Sequence, residues 1–292
     1  MSLAVRPTSA ASRQESVVDG EYPFTADDFR RIAALLYDTA GITLSDSKTA
    51  LVYSRLAKRL RLLGLSSFRD YCKLVEGPNG HEERQDMLRA LTTNVTRFFR
   101  EPHHFDHLLQ NVIQPAIDGV RRGARLRIWS AGCSSGQEPY SMALTILSAL
   151  PDAPNYDVKI LATDIDTNVI AKGLAASYAE ELVDAIPTSV RSKWMERDPD
   201  EPRNWRMGEA ARALVAFKPL NLMGDWPMKG QFQAIFCRNV VIYFDEPTQE
   251  RIFRRFHGLL TPGGRLYVGH SERVGVPGFE TDGLTTYRHV RG

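Results

Sequence analysis

Residues 125–140 read RLRIWSAGCSSGQEPY, and their pattern decides the fold. Arg127-Ile128-Trp129 begins an apolar run that reads as a short buried strand. Small residues follow from Ser130 to Gly136, and apolar residues then recur at helical spacing through Tyr140, Met142, Ala143 and Leu144. Strand, tight turn and helix form the opening unit of a doubly wound α/β domain, whose ligand lies at the carboxyl ends of the strands. Gly132 and Gly136 lack a Cβ and so permit close backbone approach. They stand four apart rather than in a full G-x-G-x-x-G. The loop alone therefore leaves two readings open, a nucleotide-like ligand or a tight turn that packs helix on strand. Pro139 sits early in the helix, where its missing N–H costs little.

The totals bound what surrounds this unit. The chain has 292 residues, 43% of them hydrophobic and 25% charged, which suits one or two ordinary globular domains. A net charge of +2 gives no reason to expect bulk nucleic-acid binding. Cys72, Cys133 and Cys237 are far apart and form no C-x-x-C, so neither a disulfide framework nor a structural zinc is expected. Cys133 reads as a small residue tolerated in the loop. The first residues are polar and Ser/Ala-rich, without the apolar core of a signal peptide, and no stretch reaches the ~20 apolar residues of a membrane span. A cytoplasmic protein is expected, with a disordered tail over residues 1–20.

From Thr25 the pattern turns helical. Thr25 reads as an N-cap with Asp28 three residues on, and Phe29, Ile32, Ala33, Leu36 and Tyr37 line one face as far as Gly41. A second helix is expected over 47–63, with Val52, Leu56, Leu60 and Leu63 as its apolar stripe. Arg55, Lys58, Arg59 and Arg61 fall largely on its other faces, with no acid between Lys48 and Leu63. This unbalanced cationic surface is either a solvated face or a docking surface for an acidic partner. Further helices at 67–75 and 81–91 complete a small all-α domain over 21–91. A linker, 92–102, packs Asn94, Thr96, Arg97 and Arg100 around Phe98 and Phe99. His103 and His107 then stand i,i+4 on a helix running to about 117. No third ligand accompanies them, so no metal is expected.

The α/β domain, 103–292, unrolls from there. A second strand over 157–163 runs into Asp164, an acid placed to accept hydrogen bonds from both ribose hydroxyls of an adenosine. A helix over 167–175 follows. Residues 176–217 are charged and proline-punctuated, with strand-like pieces near 204–207 and 213–217, and read as an inserted β subdomain. Strand 232–237 leads into Arg238-Asn239-Val240, helix 247–260 into Thr261-Pro262-Gly263-Gly264, and strands at 265–268 and 285–290 close the sheet. Three strand ends thus bring Gly132/Gly136/Glu138, Asp164 and Asn239 to one crevice. A glycine loop with a ribose-binding acid fits NAD or S-adenosylmethionine. The L-x-P-G-G turn and terminal hairpin favour the methyltransferase version of the fold. Cys237-Arg238-Asn239-Val240 lacks the N-P-P-Y pattern of base methyltransferases.

The ordered motifs TNVTRFFRE, SAGCSSGQEPYS, ATDID, PLNL, CRNVVIYFD, LTPGG and GHSE resemble those of the CheR-type chemotaxis receptor methyltransferases, over about residues 25–290. The resemblance implies a Rossmann-like S-adenosylmethionine-dependent methyltransferase sheet with an N-terminal all-α domain. It implies methyl transfer to receptor glutamates and release of S-adenosylhomocysteine. Asn94, Thr96 and Arg100 would reach over the cofactor, with Gly132 and Glu138 at its polar end. Asp164 would hold the ribose, Asn221 and Leu222 flank the adenine, and Asn239 and Val240 line the methionine side. Arg100 and Tyr243 would stand nearest the reacting centre. The helix bearing Arg55, Lys58 and Arg59 resembles a docking helix for the cytoplasmic helical domain of the receptors. Neither nucleic acid nor membrane insertion is implied, and a monomer is expected. Some relatives grip a receptor tail peptide through closely spaced glycines in the insertion. Residues 196–203 here have none, so tail binding is not expected. A non-catalytic cofactor sensor, and a methyltransferase for another carboxylate, remain the competing readings.

Overall fold

The structure is a computed structural model and describes residues 16–92 and 94–290. Most of the tail expected over 1–20 lies outside the described residues. Its last part is not loose chain, because Ser16 bridges Thr25 and the Val17 amide donates to the Phe24 carbonyl at 2.7 Å. The chain divides into two compact units, residues 1–39 with 43–92, and residues 40–42 with 93–292.

The first unit holds α1 (Ala26–Ala40), α2 (Thr49–Leu63), α3 (Phe68–Glu76) and α4 (His81–Leu91). Thr25 and Asp28 cap α1 reciprocally. The Thr25 amide donates to Asp28 Oδ2 at 3.0 Å and the Asp28 amide to Thr25 Oγ1 at 3.2 Å. Gly64, at φ 67°, ends α2 in the left-handed region. Ser67 caps α3 by accepting from the Asp70 amide. The buried stripe of α2 is Val52, Leu56 and Leu60, whereas Leu63, also expected there, is 38% exposed at the helix end.

The cationic surface expected on α2 is corrected by its neighbours. Arg59 forks onto Glu83 at 3.0 and 2.6 Å and also reaches Asp86, both carboxylates belonging to α4. Arg55 donates to the carbonyls of Ala90, Leu91 and Thr92, the orphan acceptors at the end of α4. Arg61 pairs with Glu21. Lys58 is exposed and has no ion pair among the described residues. The balancing acids lie outside the helix's own sequence, and folding brings them to it.

The second unit is built on a seven-stranded sheet. Its strands are β1 (Leu126–Ala131), β2 (Val158–Asp164), β6 (Val215–Pro219), β7 (Phe232–Cys237), β8 (Leu260–Val268), β9 (Phe279–Gly283) and β10 (Thr286–His289), in the order β6-β2-β1-β7-β8-β10-β9. The pairs from β6 to β8 are parallel, and β10 and β9 add antiparallel. α5 (His103–Leu108) passes through a π turn, Leu109–Ile113, into α6 (Gln114–Arg121). α7 (Gln137–Ala149) follows β1, α8 (Thr167–Ala175) follows β2, and α12 (Glu246–Leu259) joins β7 to β8. From β1 the chain builds β2 and β6 outward on one side and then β7 and β8 on the other, so strand order reverses between β1 and β7. Such a switch point opens a crevice beyond the strands' carboxyl ends.

A second, three-stranded antiparallel sheet comprises β3 (Ser177–Ala179), β5 (Asn204–Met207) and β4 (Met195–Arg197), in that order. The short helices α9 (Glu180–Val183) and α10 (Thr188–Trp194) accompany it. The insertion expected over 176–217 is too long at its end. α11 (Glu209–Leu214) leads into β6, which pairs with β2 from Ile160↔Val215 to Asp164↔Pro219 and belongs to the main sheet. An edge strand buries one face at most, and β6 buries only Phe217, so its sequence resembles a surface hairpin.

Candidate active site

The turn after β1 is shaped by left-handed residues, Gly132 (φ 81°), Ser134 (φ 49°) and Gly136 (φ 96°). The Gly132 and Cys133 amides both donate to the Thr163 carbonyl, at 2.8 and 2.9 Å, which pins the turn to the end of β2. A Cβ on Gly132 would lie 2.4 Å from Val240 Cγ2, so this glycine also brings the β1 and β7 loops together. Cys133 is 1% exposed and burial pushes its thiol well above the ordinary range, which suits a packing residue rather than a nucleophile.

Asp164, at the end of β2, accepts from the Ser134 amide at 2.8 Å and from the Asp166 amide at 3.0 Å. Each carboxylate oxygen keeps a lone pair for a further donor. Burial raises its pKa, and the backbone hydrogen bonds oppose that shift. The linker closes over this point. Asn94 Nδ2 donates to Asp166 at 2.8 Å, and the Asn94 carbonyl accepts from Ser134 Oγ at 2.9 Å. Leu220, just ahead of Asn221 and Leu222, donates its amide to the Asp164 carbonyl at 2.9 Å. Asn221 accepts from the Met223 amide, and Arg255, stacked on Trp226, donates to the Leu222 carbonyl at 2.8 Å.

On the β7 side a buried guanidinium gathers the loops. Arg238 is 6% exposed; it donates to the Arg100 carbonyl and lies 3.4 Å from Glu138 and 3.3 Å from Glu101. Glu138 also accepts from Ser130 Oγ at 2.7 Å. Burial raises the Glu138 pKa while Arg238 holds it down. Phe99 (φ 50°) and Glu101 (φ 58°) flank Arg100 in the left-handed region, which costs non-glycine residues on the order of 1 kcal/mol or more each. Arg100 itself reaches back to the Val95 carbonyl at 3.2 Å.

Asn239, also left-handed at φ 58°, begins a turn wrapped around one carboxylate. Glu272 accepts from the amides of Gly269, Asn239, Val240 and Ile242. Burial raises the pKa of Glu272, and these four amides pull it back. Asn239 Oδ1 is buried with no hydrogen-bond partner. Tyr243 closes the 3-10 turn that follows, and no hydrogen bond joins it to Arg100. Thr96 is half-buried and makes no hydrogen bond among the described residues. His107 turns to Tyr267 Oη at 3.0 Å and the Asp282 carbonyl at 2.9 Å, so the His103/His107 pair does not converge.

These features fit an adenosyl amino acid. Asp164 offers free lone pairs to ribose hydroxyls, Gly132 lets the β1 and β7 loops approach, and the orphaned Asn239 oxygen awaits a donor such as an α-ammonium group. Sequence reasoning missed Arg238, Glu272 and Glu101. All three stand within motifs quoted above, CRNVVIYFD, GHSE and TNVTRFFRE, but only their distant partners reveal what they hold.

A sheet whose order reverses between β1 and β7, with a left-handed glycine turn at the end of β1 and a buried acid at the end of β2, defines a Rossmann-like domain with a place for an adenosine-bearing cofactor. Two family models match the chain, the CheR methyltransferase all-alpha domain over residues 27–92 and the CheR methyltransferase SAM binding domain over 94–285. The chain belongs to the CheR methyltransferase family. It is 51% identical to a probable chemotaxis protein methyltransferase of Rhizobium etli over 260 residues, covering 88% of this chain and 97% of that protein. It is 44% identical to chemotaxis protein methyltransferase 2 of Pseudomonas aeruginosa, covering 86% and 88%. The chemotaxis protein methyltransferase of Escherichia coli is also 44% identical, with 84% and 83% covered.

Proposed function

We propose that this chain, an S-adenosylmethionine-dependent chemotaxis protein methyltransferase by family, esterifies glutamate side chains of chemotaxis receptors for sensory adaptation. It would do so in the cytoplasm; no helix among the described residues is long and apolar enough to cross a membrane. The observation that carries the proposal is the linker clasped into the crevice, with Asn94 bonded to both Ser134 and Asp166 beside Asp164. That clasp leads the chain directly to Arg100. The test is radiolabelled methyl transfer to receptor-containing membranes. Label released by base as methanol supports a methyl ester; base-stable label overturns it.

When bound, S-adenosylmethionine supplies a methyl group activated by its sulfonium. Asp164 would hold the ribose, Glu138 and Asn239 the amino-acid end, and Asn221 with Leu222 the adenine. A glutamate carboxylate, with an unperturbed pKa of about 4.3, is already ionised at neutral pH, so no general base is needed. The enzyme's part is alignment and the exclusion of water. Arg100 and Tyr243 would orient the acceptor carboxylate. A tighter grip on the carboxylate would stabilise the ground state more than the transition state. Tyr243→Phe should therefore lower kcat by about tenfold or more with cofactor Kd nearly unchanged. Equal losses in both would remove Tyr243 from the orienting role.

Receptor docking is proposed for the exposed side of α2. With Arg55 and Arg59 engaged within their own unit, Lys58 is the member of the trio presented to an acidic helical partner. Lys58→Glu should raise the KM for receptor membranes and leave cofactor affinity intact. An unchanged KM would discard α2 as the docking element. Charge reversal at Arg59 would instead test folding, because it strands Glu83, whose carboxylate also accepts from Tyr71.

A further inference from the structure

Next to Arg100, three buried side-chain atoms make no hydrogen bond. Glu101 Oε2, His103 Nε2 and His104 Nδ1 are each buried and not hydrogen-bonded, and one ligand atom from each of the three residues lies within 4.8 Å of the others. The tautomer of His104 follows from its other nitrogen. His104 Nε2 stands 3.1 Å from the Leu284 carbonyl and 2.9 Å from Thr285 Oγ1; in the tautomer that donates Nε2–H to that carbonyl, Nδ1 presents a lone pair. That lone pair faces Glu101 Oε2 at 3.4 Å. In that tautomer the two lone pairs face one another, an arrangement that an electropositive group held between them would relieve.

We propose that Glu101, His103 and His104 form a binding site for one divalent cation of the zinc class. Two imidazoles and one carboxylate are a zinc donor set, leaving a fourth position open. Bonds of about 2.1 Å in a tetrahedron place neighbouring ligand atoms about 3.4 Å apart, the separation found between His104 and Glu101. The Leu284 carbonyl behind His104 is the kind of outer partner that orients metal-ligating histidines. Imidazole nitrogen favours zinc or cobalt over magnesium or calcium. Arg238 lies 3.3 Å from Glu101 Oε2, and Glu138 offsets its charge from the other side. Occupancy would draw Oε2 from Arg238, so the site lies where it bears on Arg100.

The full-length chain, stripped with a chelator, would be titrated with Zn²⁺ by calorimetry and with Co²⁺ by visible absorption. About one equivalent should bind, with the absorption of tetrahedral Co²⁺. The chain has seven histidines, so the site is tested by His103→Ala, which alters a half-buried side chain and should weaken binding by at least about tenfold. If that variant fails to fold, Glu101→Gln takes its place with the same expectation. No saturable binding, or equal affinity in the wild type and the folded variant, overturns the proposal; in that case a proton or water occupies the trio.

Discussion

Asp164→Ala should weaken S-adenosylmethionine binding by about a hundredfold or more in calorimetry. Hydrogen bonds to a charged acceptor contribute roughly 1.5–3 kcal/mol each, and two ribose hydroxyls would lose theirs together. The substitution also strips the Ser134 and Asp166 amides of their acceptor, so the glycine turn itself loosens. Asp164→Asn separates the two effects. It keeps the shape and one oxygen for an amide but lacks the charge, so its fold should hold while affinity still falls. Unchanged affinity in both variants would remove Asp164 from the ribose site. The raised pKa adds a pH signature. Hydroxyl donors favour the ionised carboxylate, so acidification that protonates Asp164 opposes binding. Because burial raises the folded pKa above the ordinary 3.8, wild-type affinity should begin to fall on acidification at a higher pH than an exposed aspartate would allow. Asp164→Asn should lose that component.

Arg238→Met should cost more stability than any exposed substitution and should also disable transfer. Removing one member of a buried ion cluster costs about 3–5 kcal/mol, which for a domain of this size is on the order of 10 °C in Tm. The catalytic effect comes from position, because Arg238 holds the Arg100 carbonyl and the Glu138 carboxylate without itself facing the acceptor in the proposed mechanism. A fall of about a hundredfold in kcat is expected. A merely structural role would not move the pH profile. Without the guanidinium, burial raises the Glu138 pKa further, so cofactor affinity in the variant should weaken nearer neutrality than in the wild type. Arg238→Lys keeps the charge and loses the fork, so it should restore the pH profile more than the rate. Wild-type kcat in a folded Arg238→Met would refute the positioning role.

Both predictions concern contacts made over long stretches of chain. Asp164 was legible because a strand's apolar pattern ends on it and the fold's chemistry expects an acid there. Arg238 was not, because its partners at Glu138 and Arg100 are 100 and 138 residues away. The same division separates Gly132, whose need for space shows in the small-residue turn, from Glu272, whose four amide bonds span up to 33 residues.

Sequence alone determined what nearest neighbours decide. Helix spacing and the Thr25/Asp28 cap placed α1, the apolar run placed β7 at 232–237, and the glycine turn placed the crevice. Such features rest on backbone conformation and on side chains three or four residues apart, so they are written locally. Tertiary structure decided the partners of charge and the edges of sheets. It gave Arg59 to Glu83, took β6 out of the insertion, and turned His104 and Glu101 toward one another. Coulombic pairing and strand addition depend on distance in space, and no spacing along the chain encodes that.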